Sequence, residues 1–144
     1  EYQPLELNES ILKGTVLLAM GQSESEAGPI EEANAIFAEI GSMENVKDTV
    51  PGRECLATTK FIVGDYDETL RVLQTIEDYV SDTDEFNYDK GMTLASVSRW
   101  AEAERYLLMV KNPSYVKEIY YLSWLCRCYI KNKKPEEAWR LYVD

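Results

Sequence analysis

The sequence contains no histidine. Ser-His-Asp and Cys-His catalytic arrangements, histidine-ligated zinc and a histidine general base are therefore excluded. Basic residues are scarce: 15 Lys and Arg stand against 26 Asp and Glu, a net charge of −11. Nucleic-acid affinity rests on cations that displace counterions from phosphates, so no nucleic acid is expected as a partner. Long apolar runs are missing as well. Gly14 to Met20 is too short to cross a bilayer, and Ile119 to Ile130 is interrupted by Arg127. Neither membrane insertion nor a targeting peptide is expected. Only three cysteines occur, at 55, 126 and 128. An odd count without disulfide-like spacing suits a reducing compartment. Cys126 and Cys128 point to different sides of a helix, so they read as small buried apolar residues rather than metal ligands. No glycine-rich phosphate loop is present, and no cofactor is expected.

What remains is well suited to folding. The 144 residues are 45% hydrophobic and include ten tyrosines and three tryptophans. That composition argues against disorder and fits one domain or one stretch of a repeat array. The acid is unevenly spread: residues 1–110 carry a balance of −14 and residues 111–144 a balance of +3. Solvated helix faces explain this simply, and partners of mixed charge are the alternative. The chain starts at Glu1, not Met, and ends at Asp144 within a helical pattern, which reads as a fragment of a longer protein.

Apolar residues recur at intervals of three and four, and β-type alternation is absent. A first helix is expected from Pro4, with Leu5, Leu12, Val16 and Ala19 on its inner side and an end before Gly21. Pro29 opens a second, with Ile30, Ala33, Phe37 and Ile40 inward and Gly41 as its close. Pro51 opens a third, with Leu56, Thr59 and Val63, stopped by Gly64. Asp65 or Asp67 caps a fourth that buries Leu70, Leu73 and Ile76. Further helices are expected over 86–97, 100–110 and 115–131. Pro135 opens the last, with Ala138, Leu141 and Tyr142 inward.

These helices fall into a repeat. A small residue stands in each second helix at Ala33, Thr69, Ala103 and Ala138, with separations of 36, 34 and 35. A bulky residue follows four later, at Phe37, Leu73, Leu107 and Tyr142. Ile40, Ile76 and Val110 lie three further on. The small side chain lets two helices approach, and the large ones fill the gap to the next pair. The fold class expected is all-α, a tetratricopeptide-like α-α superhelix of about four helix pairs. Its approximate units are 1–48, 49–83, 84–117 and 118–144. The Leu-Gly pair usual in the first helix of such a repeat is only partly present, as Leu56-Ala57, Lys90-Gly91 and Leu125-Cys126. A generic α-α solenoid stays open.

Paired carboxylates are frequent: Glu31-Glu32, Asp67-Glu68, Asp82 with Asp84, and Glu136-Glu137. Acid-base work needs carboxyls in a cleft with shifted pKa values. These stand at expected helix starts, where the macrodipole favours them. The run Asp78 to Asp89 lacks the glycine and bidentate glutamate of a calcium loop. Tyr120, Tyr121, Trp124 and Tyr129 form an aromatic cluster that suits a core. In such a repeat the first helix of each pair lines the concave side. On that register Glu54, Tyr88, Met92, Tyr120, Arg127 and Lys131 are the candidates for partner contact.

Five blocks carry a resemblance. They are Ile11-Leu12-Lys13-Gly14, Met20-Gly21-Gln22, Thr49 to Cys55, Tyr121 to Leu125, and Arg127-Cys128-Tyr129-Ile130 followed by Asn132-Lys133-Lys134-Pro135. In order and spacing the chain resembles the intraflagellar transport protein 56 family, also called tetratricopeptide repeat protein 26. Between Asp65 and Arg105 only the repeat skeleton matches, apart from Asn87-Tyr88. The resemblance implies a non-enzymatic subunit of the intraflagellar transport B complex, in the cilium or flagellum, basal body and cytoplasm. It implies intraflagellar transport protein 46 as a partner and motility-related ciliary cargo. It brings no catalytic residue. The alternatives are a repeat module outside cilia, such as a chaperone-docking repeat with a basic groove, and an α/α hydrolase-like enzyme with acids inside a pocket.

Overall fold

The computed structural model describes residues 4–143. Among them every regular element is helical. The order is α1 Pro4–Glu24, α2 Ala27–Ser42, α3 Val50–Ile62, α4 Tyr66–Val80, α5 Asp84–Ser96, α6 Trp100–Leu108, α7 Pro113–Val116, α8 Ile119–Lys131 and α9 Pro135–Val143. The chain divides into two compact units, and the boundary falls between Ile76 and Glu77, within α4.

In the first unit α1 packs on α2 and α2 on α3. Ala33, Phe37, Ile40, Val46 and Cys55 form its core, and Leu7, Ile11, Leu17 and Leu18 lean on it from α1. The inner side of α1 therefore differs from the expected one. Leu12, Val16 and Ala19 are exposed, and the Leu5 side chain lies outside what is described. Aliphatic residues surround α1 on every side, so periodicity alone does not select the buried face. Gly21 does not end α1. It is buried under Ile30, so its missing side chain serves packing. Likewise Gly41 lies inside α2, where a Cβ would stand 3.1 Å from the Leu56 backbone nitrogen of α3. Pro29 sits in the first turn of α2 rather than opening it, a place where its missing N–H costs nothing.

Thr49 caps α3 by accepting from the Gly52 N–H, and Asp65 caps α4 by accepting from Glu68 N–H at 3.3 Å. Leu73 and Ile76 are buried as expected, with Thr69 and Val72 beside them. Leu70 is only half-buried, and Val63 caps the end of α3 on the outside.

In the second unit α5 packs on α6 and α8, and α8 on α6, α7 and α9. Phe86, Leu94, Leu107 and Cys128 are its most deeply buried large side chains. The single helix expected over 115–131 is two. Lys117 leaves α7 and Glu118 is extended at ψ 134°, so α8 starts afresh at Ile119. In α9 Ala138 is buried, but Tyr142 is 79% exposed.

The repeat is written in the backbone. Gly64, Ser98 and Lys133 all have positive φ, at 84°, 65° and 63°, with separations of 34 and 35 residues. Each ends the first helix of a pair. Each is followed by a residue whose N–H bonds five residues back: Asp65 to Lys60, Arg99 to Leu94 and Lys134 to Tyr129. This is the left-handed Schellman cap. Five residues after each stands the small residue, Thr69, Ala103 or Ala138, and all three are buried. The chain is an all-α helical repeat.

Candidate functional site

Helix α8 is two-sided. Tyr121, Leu125 and Cys128, spaced by four and three, are buried. The opposite side is open: Ile119 is 80% exposed, Ile130 58% and Tyr120 41%. Arg127 and Lys131 are exposed on that same side. Three of the six candidate residues, Tyr120, Arg127 and Lys131, are thus brought onto one face. Trp124 joins them at its edge. The Tyr120 ring meets the Trp124 ring edge-on, with centroids 6.3 Å apart, and the Arg127 guanidinium lies 4.9 Å from the Trp124 centroid.

Tyr88 and Met92 lie elsewhere. Both are buried in α5, whose residues from Phe86 to Ala95 are buried except Asp89. Tyr88 makes edge-on contacts with Tyr115 and Tyr121, at 5.7 and 5.4 Å, and its hydroxyl donates to Glu118 Oε1 at 3.2 Å. Burial and the Glu118 charge push its hydroxyl pKa well up. Tyr121 donates to the Leu107 carbonyl, and burial raises its pKa to about 12. These tyrosines fasten the start of α8 to α5 and α6. Glu54 stands half-buried in α3, in the other unit.

Two polar clusters escape a reading of the sequence. Lys90, buried in α5, pairs with Glu77, and Tyr106 donates to the other Glu77 oxygen at 2.8 Å. Lys90 Nζ also lies 4.7 Å from the Tyr106 ring centre. Burial alone would raise the Glu77 pKa, but the bonds from Lys90 and Tyr106 and the nearby Lys90 and Arg105 charges hold it below the carboxylate range. Glu104, buried in α6, accepts from Asn132 Nδ2 at 2.8 Å and from Lys134 Nζ at 2.6 Å. Asn132 also donates to the Trp100 carbonyl. This cluster holds the turn between α8 and α9. An open cleft of about 570 Å³ runs beside it, past Leu108, Tyr129 and Lys133. No hydropathy pattern announces either cluster, because their partners lie 13 to 32 residues apart.

Among the described residues, the shifted carboxyls and thiols are not tuned for acid-base or nucleophilic chemistry. Hydrogen bonds from Arg71 and Arg99 lower the pKa values of Glu68 and Glu102. Burial pushes the Cys55 thiol to about 12 and Cys128 to about 11. A general acid needs a raised carboxyl and a thiol nucleophile a lowered thiol, and these shifts run the other way. The Cys126 thiol faces the Ala138 carbonyl at 3.8 Å. Asp67, Glu68, Asp84, Glu85, Glu136 and Glu137 stand in first helical turns. Asp84 also accepts from the Lys111 and Asn112 N–H groups, at 3.1 and 2.9 Å. Among the described residues no group of three metal-ligating side chains occurs, and no helix is long and apolar enough to cross a membrane.

A sequence model described as intraflagellar transport protein 56 matches residues 1–144. A curated Caenorhabditis elegans protein, intraflagellar transport protein 56 homolog, is 30% identical over 143 residues, 99% of this chain. The chain spans 25% of that relative's length. By this match, over its whole length, the chain belongs to the intraflagellar transport protein 56 family.

Proposed function

We propose that the chain is a stretch of a non-enzymatic scaffold subunit of the intraflagellar transport B complex. It acts through protein contacts in the cilium or flagellum, with the basal body and cytoplasm as its other sites. It supports cilium assembly and the transport of motility-related cargo, and intraflagellar transport protein 46 is its principal partner. The observation that carries this reading is the 30% identity to the Caenorhabditis elegans homolog across nearly all of the chain. The lowered carboxyls and raised thiols agree with a role without catalysis.

The repeat units, tetratricopeptide-like, are 1–48, 49–83, 84–117 and 118–144. Such arrays bind through repeated shallow contacts rather than one deep pocket. Tyr120, Arg127 and Lys131 on α8 are the contact residues, with Glu54 as a separate candidate. A tagged full-length protein drawn from ciliated cells tests this. B-complex subunits recovered in constant ratio support the reading. Their absence from a folded, cilium-localised bait leaves only a generic repeat scaffold.

A further inference from the structure

We infer that the exposed side of α8 docks an acidic amphipathic protein segment, which lays aliphatic side chains over Ile119 and Ile130 and carboxylates against Arg127 and Lys131. The inference rests on the scaffold reading and gives its contact a chemistry.

Charge supplies the first argument. The whole chain has 26 acidic residues, yet α8 has none from Ile119 to Lys131. Eight of its 15 cations sit in ion pairs, while Arg127 and Lys131 pair with no carboxylate among the described residues. They are four residues apart, so their heads are neighbours on one helical face. Two cations on a helix that holds no acidic residue make this strip locally positive, which favours a segment carrying carboxylates.

Shape supplies the second. Ile119 and Ile130 are eleven residues apart, almost the same angle around the helix, and about 16 Å apart along it. The two isoleucines thus mark the ends of a line about three turns long, with the small Ser123 exposed between them. Arg127 is already held against Trp124, so little side-chain freedom is lost when a carboxylate arrives. A second copy fits less well: seated on the same face about a two-fold axis, it would bring cation against cation.

The test uses the full-length protein and a labelled helical peptide of Glu and Leu, about three turns long, read by fluorescence anisotropy. The peptide should bind, more weakly as salt rises, while its Lys-for-Glu counterpart should not. Arg127→Glu with Lys131→Glu should weaken binding about tenfold or more. Ile130→Ser should weaken it too, and Lys111→Glu, off the face, should not. Arg127→Gln with Lys131→Gln is the milder variant if charge reversal unfolds the protein. Equal binding by wild type and Gln variant overturns the inference. So does preference for the Lys peptide, binding to phosphatidylserine vesicles instead, or self-association lost in the variants. Unchanged recovery of B-complex subunits by a variant that has lost the peptide sinks this inference and leaves the scaffold reading. Peptide binding without any B-complex recovery does the reverse.

Discussion

Arg127 lays its guanidinium 4.9 Å from the centre of the Trp124 ring, three residues earlier on the outer side of α8. The contact holds this cation on the face it shares with Lys131 and Tyr120. At an exposed site such a pair contributes about 0.5–1 kcal/mol. Arg127→Ala should therefore lower unfolding free energy by no more than about 1 kcal/mol, read from urea midpoints. A loss several times larger would make Arg127 part of the packing rather than of a binding face.

These three left-handed caps, which have a fourth counterpart at Ser25 (φ 56°), differ in residue type, and that difference is measurable. Ser98 and Lys133 carry a Cβ in a conformation that Gly64 occupies freely. Ser98→Gly and Lys133→Gly should each stabilise by about 0.5–1 kcal/mol, and Gly64→Ala should destabilise by about 1 kcal/mol. Urea unfolding at constant m-value checks all three. Destabilisation by both glycine substitutions would contradict the cap assignment.

Gly91 and Leu107 should act as one unit. A Cβ at Gly91 would stand 2.7 Å from Leu107 Cγ and 3.2 Å from its backbone nitrogen. Gly91→Ala gains about 1 kcal/mol of helix propensity, but overpacking costs roughly 1–3 kcal/mol. Leu107→Ala should cost about 2–5 kcal/mol, because Leu107 is fully buried. In that second background Gly91→Ala should become neutral or favourable. Strict additivity of the two changes would show that the helices do not meet there.

Glu77 gives the fold a pH dependence. Its folded pKa is depressed, so its contribution is complete above the unfolded carboxylate value of about 4.3. The contribution fades as the pH falls through the lower folded value. Glu77→Gln should cost roughly 1–3 kcal/mol at neutral pH, by leaving Lys90 poorly paired. It should also flatten the loss of stability below about pH 5. Parallel acid-unfolding curves for wild type and variant would exclude this role.

Much of the fold is legible before any coordinates. Ala33, Thr69, Ala103 and Ala138 mark the close helix approaches, and all four are buried. Asp65 and Gly64 mark a boundary through ordinary capping chemistry. The misses have physical causes. Ser98 and Lys133 do the work expected of glycine, so their type gives no signal. Gly21 and Gly41 give a false one, because they make room for Ile30 and Leu56 inside helices. The break at Lys117 and Glu118 has neither glycine nor proline. The candidate face is partly legible: Tyr120, Arg127 and Lys131 share one side of α8, while the register that selects them also selects the buried Tyr88 and Met92. Burial of α5 on nearly every side is a property of packing, and the residue pattern of one helix does not contain it.

The proposed role of this chain is to bind protein partners in intraflagellar transport. Its most direct test is a purified mixture of the full-length protein with intraflagellar transport protein 46, run by size exclusion with light scattering at moderate salt. A complex of fixed stoichiometry, weakened by Arg127→Glu with Lys131→Glu, is the predicted result. Two separate peaks from well-folded wild-type proteins would contradict it.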